Sequence, residues 1–226
     1  MKRTFVLGDI HGAHRALRQC LERARFDYAA DQLICLGDVT DGWPDTRACI
    51  DELLRVKHLV YLLGNHDWWT RTWMETGEAD SVWLEQGGSA TIASYREGPD
   101  ARHQKFLQDA LPYYIMENRL FVHAGIRPGV PPEATGWETF LWDRSLAKLA
   151  LAAAANQKQA RLTVYDEVYI GHTPVWEGRP VYGGGVWLMD TGAGWQGVLT
   201  LMDVHTKEQY ISDPVPELYP GVKGRK

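Results

Sequence analysis

Apolar residues along this chain fall into short unbroken runs, and each run stops at a polar turn. Thr4 to Leu7 ends at Gly8-Asp9-Ile10-His11-Gly12, Leu33 to Leu36 at Gly37-Asp38-Val39-Thr40-Asp41, and Leu59 to Leu63 at Gly64-Asn65-His66-Asp67. Such runs read as strands buried on both faces, the signature of a parallel sheet. Between the first two, Ala13, Ala16, Leu17, Cys20, Leu21 and Ala24 recur at helical spacing, with Arg15, Arg18, Glu22 and Arg23 interleaved. A second helix restarts after Pro44, with Asp45 as its cap and Cys49, Ile50, Leu53 and Leu54 facing inward. The order is β-α-β-α-β. Right-handed crossovers then gather the three strand ends on one edge, where open α/β sheets place their ligands.

The pattern resumes later. Leu120 to Val122 ends at His123-Ala124-Gly125, Val168 to Ile170 at Gly171-His172-Thr173-Pro174, and Val186 to Met189 at Asp190-Thr191-Gly192. Residues 68–118 read as helical pieces broken at Gly87-Gly88 and Gly98-Pro99, a candidate cap over the cleft. Leu146 to Gln159 is rich in Ala and Leu and predicts a helix. Gly197 to Val204 and Glu208 to Ile211 predict antiparallel strands around a turn near Thr206-Lys207. One domain is expected over residues 1–211. Residues 212–226, rich in Pro, Gly and Lys, read as a disordered or surface-draped tail.

Composition narrows the function classes. A hydrophobic share of 45% and a charged share of 23% suit a globular chain, and no apolar run approaches the length that crosses a bilayer. Met1-Lys2-Arg3 is followed by only Thr4 to Leu7 before Gly8-Asp9, too little for a signal core, so a cytoplasmic location is expected. A net charge of -5 argues against a broad grip on nucleic acid, and no stable nucleic-acid binding is expected. Cys20, Cys35 and Cys49 read as reduced core thiols. Most of the ten Trp residues read as packing, while Trp43, Trp68, Trp69 and Trp73 lie beside the motif loops as candidates to line a cleft.

The strand ends carry the chemistry. Asp9 and His11 alternate by two, so an extended strand end points both side chains the same way. Asp38, Asn65, His66, His123 and His172 join them from neighbouring strand ends, whereas His14, His58, His103 and His205 lack that setting. Oxygen donors mixed with imidazole suit manganese, iron or zinc better than magnesium or calcium, and the donors suffice for two ions. Two ions about 3.5–4 Å apart are the common device for activating water against a phosphorus ester.

The segments GDIHG, GDVTD, GNHD, VHAG and GHTP, in this order, resemble the calcineurin-like metallophosphoesterases, and more narrowly the phosphoprotein phosphatases that include bacterial and phage lambda Ser/Thr phosphatases. The likeness runs from Thr4 to Gly192 and extends to WLEQGGSATIASY, FLQDALPYYI and LFVHAGIRPGV. It implies a four-layer α/β/β/α sandwich of two mixed sheets with the active site at the strand C-terminal ends. It also implies two divalent ions, manganese first, with iron, zinc or nickel as alternatives. Asp9 and His11 would hold the first, Asp38 would bridge, and Asn65, His123 and His172 would hold the second. His66, oriented by Asp41, would be the general acid, Arg144 would grip phosphate oxygens, and a hydroxide bridging the ions would attack directly. Asp67 is assigned no catalytic part and Asp190 a supporting one.

One departure bears on substrate. The resemblance leads to Asp-Arg-Gly at the end of the second motif, but this chain reads Asp41-Gly42-Trp43-Pro44. Arg47, Arg71 or Arg127 could replace the missing arginine, or Trp43 could stack on an aromatic group. The expected substrate is a phosphorylated protein or a small phosphoester. The alternatives are a nucleotide of the diadenosine tetraphosphate type or a nucleic-acid end. A non-catalytic binding scaffold is the remote alternative, and it would show eroded ligand positions, of which there are none.

Overall fold

The computed structural model describes residues 2–157 and 160–225. The strands are β1 (Thr4–Leu7), β2 (Gln32–Cys35), β3 (His58–Tyr61), β4 (Tyr113–Met116), β5 (Arg119–Val122), β6 (Glu167–Ile170), β7 (Val181–Gly183), β8 (Val186–Leu188), β9 (Thr200–Asp203) and β10 (Gln209–Ile211). They form two five-stranded sheets, ordered β10-β9-β1-β2-β3 and β4-β5-β6-β8-β7. Each has a parallel run, β1-β2-β3 reaching one edge of the first and β5-β6-β8 at the centre of the second, with antiparallel strands β9 and β10 completing the first and β4 and β7 flanking the second.

Alternation along these strands builds the layers. Val6, Ile34, Phe121 and Tyr169 point between the sheets, where Met189 and Met202 join them. Their neighbours point outward: Phe5, Leu7, Leu33 and Cys35 meet α1 (His14–Arg23) and α2 (Thr46–Leu53) through Leu17, Cys20, Cys49 and Ile50. Leu120, Val122, Val168 and Ile170 meet the helices that cover the second sheet, with Phe140, Leu146, Ala147 and Ala150. A strand buried on both faces needs an apolar partner on each, so the unbroken runs dictate helix, sheet, sheet, helix. The result is two mixed sheets with helices outside, the four-layer sandwich that the resemblance implies.

The middle of the chain holds α3 (Asn65–Thr76), α4 (Ser81–Trp83), a π turn at Leu84–Gly88, α5 (Ser89–Ser94) and α6 (Ala101–Gln108) before β4. It is broken at Gly87 (φ 112), as the sequence predicts. Trp73, Trp83, Tyr95 and Phe106 pack into the same core as α1 and α2, so this stretch forms a flank of the molecule beside the strand ends. After β5 come α7 (Trp137–Trp142) and α8 (Ser145–Ala155); the last two positions of the helix expected over Leu146 to Gln159 lie outside the described residues.

The closing segment lies against the domain, as the surface-draped alternative has it. Val215–Leu218 forms α9, Tyr219 is buried and stacks on Trp43 with ring centres 5.1 Å apart, and its hydroxyl donates to Asp45 Oδ2 at 2.8 Å. Asp45 stands at the start of α2 but makes no side-chain cap there, its carboxylate being engaged by Tyr219. Residues 213–225 are thus fastened to the first helical layer rather than left loose. All three cysteines are free and buried.

Candidate active site

Turns after β1, β2, β3, β5 and β6 converge on one edge, and four of their polar residues have left-handed backbone: His11 (φ 51), Asp38 (φ 51), Asp41 (φ 71) and His172 (φ 60). Non-glycine residues adopt this region at a cost, and Asp and His tolerate it better than most. The reversal turns each side chain back across the strand ends. Glycine is required beside them: a Cβ on Gly64 would collide with the Asp38 carboxylate and one on Gly171 with that of Asp9.

Two sets of donor atoms result. Asp9, His11 and Asp38 form one, Asp38, His123 and His172 the other, and within each set the atoms lie within 4.8 Å of one another. Asp38 Oδ2 is 3.7 Å from His11 Nε2 and 3.5 Å from His123 Nε2, so it stands between the two. Asn65 Oδ1 lies 3.0 Å from His123 Nε2 and 2.9 Å from His172 Nδ1. Backbone carbonyls fix the rings: His11 Nδ1 donates to Thr40 O at 3.0 Å and His123 Nδ1 to Leu36 O at 2.8 Å. Each ring therefore turns an Nε2 lone pair toward Asp38, the arrangement by which proteins orient imidazole ligands.

The charges in this cluster are poorly compensated. Burial, reinforced by the Asp190 and Asp38 charges, holds Asp9 well above the usual carboxylate range, and burial lifts Asp38 to about 7. Asp9 Oδ1 and Asp190 Oδ2 are buried without a hydrogen-bond partner. Burial also lowers His11 well below its ordinary value and brings His123 to about 4 and His172 to about 2. Orphaned carboxylate oxygens among neutral imidazole lone pairs are the environment a divalent cation completes, so the residues fit the ions that the sequence implies.

Beside the cluster, His66 Nδ1 meets Asp41 Oδ2 at 2.6 Å. Trp83 Nε1 donates to that oxygen at 2.7 Å and Thr91 Oγ1 to Asp41 Oδ1 at 2.8 Å. Burial raises Asp41 to about 7 against these bonds and holds His66 well below its ordinary value. A dry pair of this kind disfavours separated charges, and the short bond ties Nδ1 to Asp41, turning Nε2 away from it. A cavity of about 250 Å³ opens here, lined by Asp38, Asn65, His66, His172, Trp69, Trp142, Gln86, Arg144 and Arg225.

Of the cleft candidates, Trp69 lines this cavity. Trp43 is 1% exposed, stacks on Tyr219 and donates Nε1 to Ala193 O, so it presents no free face. Trp73 lies in the core and Trp68 packs beside Trp137. None of Arg47, Arg71 and Arg127 lines the cavity, and Arg47 faces Asp100 at 3.8 Å instead.

Asp67 does more than its position on a helix start suggests. Its carboxylate accepts from the backbone N–H groups of Asp38, Val39, Thr40 and Gly64 and from the Tyr61 hydroxyl, holding the second motif loop to the third. Its motif was visible, its role was not. Trp83 and Thr91, which brace Asp41, and Arg225 were also missed.

A cluster of buried carboxylates and imidazoles at the strand ends of an α/β/β/α sandwich defines a metallophosphoesterase. The chain belongs to the calcineurin-like phosphoesterase family, whose model matches residues 2–190. Members of that family use a dinuclear divalent metal centre. The chain is 27% identical over 208 residues to serine/threonine-protein phosphatase 1 of Salmonella typhimurium, covering 88% of this chain and 91% of that protein. It is 28% identical over 270 residues to the symmetrical bis(5'-nucleosyl)-tetraphosphatase of Cellvibrio japonicus, covering 90% and 96%. Among solved structures, a candidate diadenosine tetraphosphatase superposes with a TM-score of 0.70 at 18% identity, over 94% of this chain and 93% of that one. The chain is therefore a hydrolase acting on phosphoester bonds. No helix among the described residues is long and apolar enough to cross a membrane.

Proposed function

We propose that this protein is a phosphomonoesterase of the Ser/Thr protein phosphatase type, requiring two divalent ions, with manganese the first to test. The observation that carries the reading is the cavity: at about 250 Å³ it suits a phosphoryl group and its ester oxygen, leaving the rest of the substrate outside. Asp9, His11 and Asp38 would hold one ion, and Asp38, Asn65, His123 and His172 the other. When bound, such ions would supply positive charge to the phosphoryl oxygens and a nucleophile from water.

The remaining roles belong to the chain itself. Arg144, on the rim, would take phosphate oxygens through its planar fork. With Nδ1 held by Asp41, His66 would deliver a proton from Nε2 to the departing alkoxide, the anionic phosphoryl group of a bound substrate supporting the charged ring that burial alone disfavours. Trp69 and Trp142, packed edge-to-face at 4.9 Å, narrow the entrance and limit water. A cytoplasmic location accompanies the reading.

A second reading has its own support. Trp176 and Trp137 are exposed indoles, with Trp176 edge-on to Trp195 at 6.0 Å, and such rings suit the bases of a nucleotide of the kind named in the tetraphosphatase relative. The test is a rate panel on manganese-loaded protein: phosphoserine and phosphothreonine peptides, para-nitrophenyl phosphate and its bis-ester, and diadenosine tetraphosphate. Peptide and aryl monoester turned over fastest is the expected result. If the peptides lag far behind the tetraphosphate or the bis-ester, the nucleotide or diester reading replaces this one.

A further inference from the structure

The side chain of Arg225 enters the candidate active site from the closing segment, and the backbone around it is cut away to let it pass. A Cβ on Gly42 would stand 3.0 Å from Arg225 Cγ, one on Gly87 3.3 Å from the same atom, and one on Gly194 3.2 Å from Cδ. Gly42 and Gly87 sit at φ +91 and +112, a region closed to most side chains, so both position and conformation call for glycine. The arginine is fastened from behind: its N–H donates to Gly194 O at 2.8 Å, and its guanidinium lies 4.2 Å from the Trp195 ring centre. The Tyr219–Trp43 stack anchors the segment that carries it.

The guanidinium is held but not satisfied. Nη2 donates to the neutral Gln86 Oε1 at 2.9 Å, Nη1 faces His11 Nε2 at 3.2 Å, and Nε is buried without a partner. Among the described residues no carboxylate pairs with Arg225 within salt-bridge distance. Arg144 lines the same cavity, together with His66. Two guanidinium groups on one small cavity, one of them with donors left open, make a site for an anion with several oxygens.

We infer that Arg225 is a phosphate-binding residue: with Arg144 it grips the phosphoryl oxygens of the substrate, supplying from the closing segment the guanidinium that Gly42 does not. This deepens the phosphoester-hydrolase reading and rests on it. No arginine at position 42 is needed, because the space beside Gly42 is filled by the Arg225 stem. The closing segment then reaches the substrate site through the Arg225 side chain alone, and the contact of Nη1 with His11 would be exchanged for one with phosphate when His11 holds an ion.

The test compares wild type with Arg225→Ala, Arg225→Lys and, as a control, Lys223→Ala, all loaded with manganese. Two properties are read: affinity for inorganic phosphate, by inhibition and by calorimetry, and KM against kcat for an aryl phosphate. Arg225→Ala should weaken phosphate binding and raise KM by about 10–100-fold, with a smaller fall in kcat, the scale for losing a forked charge-assisted contact. Arg225→Lys should recover part of the loss, a point charge replacing a fork, and Lys223→Ala should match wild type. Unchanged phosphate affinity in a folded Arg225→Ala protein would overturn the inference. So would higher activity or tighter manganese binding in that variant, which would make Arg225 a plug on the ion site. If wild type hydrolyses no phosphoester while Arg225→Ala still loses phosphate, the functional reading fails and the anion site stands.

Discussion

Strand β6 carries a carboxylate problem at each end, and the two ends solve it differently. At its start, Glu167 accepts from Lys207 Nζ at 2.6 Å, Arg119 Nε at 2.8 Å, Tyr169 Oη at 2.9 Å and Trp187 Nε1 at 3.0 Å. Burial alone would raise it, yet these donors outweigh burial and bring it down to about 2. Past its other end, His172 meets Asp9, Asp38 and Asn65, where carboxylates are pushed up and oxygens go unpartnered. One network is closed by the chain's own cations. The other is left open, with its ring orientations already fixed, a donor set that divalent cations from solution would complete.

The largest effect that tests this contrast is loss of the shared carboxylate. Asp38→Asn should lower phosphoester hydrolysis on the order of 10³-fold or more, since it removes a member common to both donor sets. The same change should raise the melting temperature of metal-free protein, because it deletes a buried, uncompensated charge. A metal-free Asp38→Asn protein less stable than wild type would mean that the cluster is held together without ions.

Next in size is the effect at His66, the proposed proton donor. His66→Asn should cost roughly 10²–10⁴-fold with a phosphopeptide and clearly less with para-nitrophenyl phosphate, whose leaving group needs little protonation. Asp41→Asn should reproduce the leaving-group dependence in weaker form. Equal losses on both substrates would remove His66 from the acid role.

Smaller is the thermal response to ions. Manganese at 100 times its dissociation constant should stabilise wild type by about 2.7 kcal/mol for each ion bound, read as a melting shift of roughly 5–10 °C per ion for a chain of this size. Glu167→Gln should keep that shift in full. Its own effect is the smallest and has a pH signature: at pH 7 the substitution should cost about 1–2 kcal/mol through lost charge-assisted bonds. Because the folded value lies near 2 and the ordinary value is 4.5, Glu167 contributes above pH 4.5. That contribution fades as pH falls toward 2, where variant and wild type should unfold alike. A gap that persists at pH 2 would show the effect to be packing rather than charge.

The parallel runs of both sheets were legible because strands covered on two faces must be apolar throughout. β4 and β7 were not. Tyr113–Met116 is half-buried to exposed and Val181–Gly183 is short and ends at glycine, so edge strands left no run to read. The strand-end donors were legible because each follows directly on such a run. Trp83 and Thr91 reach Asp41 across 42 and 50 residues of chain, and no local spacing encodes that contact. Arg225 was hidden by composition: a Pro-, Gly- and Lys-rich segment reads as loose, and only the fit of Tyr219 on Trp43 and of Gly224 beside Trp43 brings it home.

The proposed mechanism requires the open cluster to be a two-cation site shared through Asp38. Calorimetric titration of metal-free protein with manganese tests it most directly, with Asp38→Asn and Glu167→Gln titrated alongside. The account predicts two ions per chain for wild type and for Glu167→Gln, as befits a dinuclear centre, with at least one of them lost in Asp38→Asn. Wild-type stoichiometry retained in Asp38→Asn, or no binding by wild type, would contradict it.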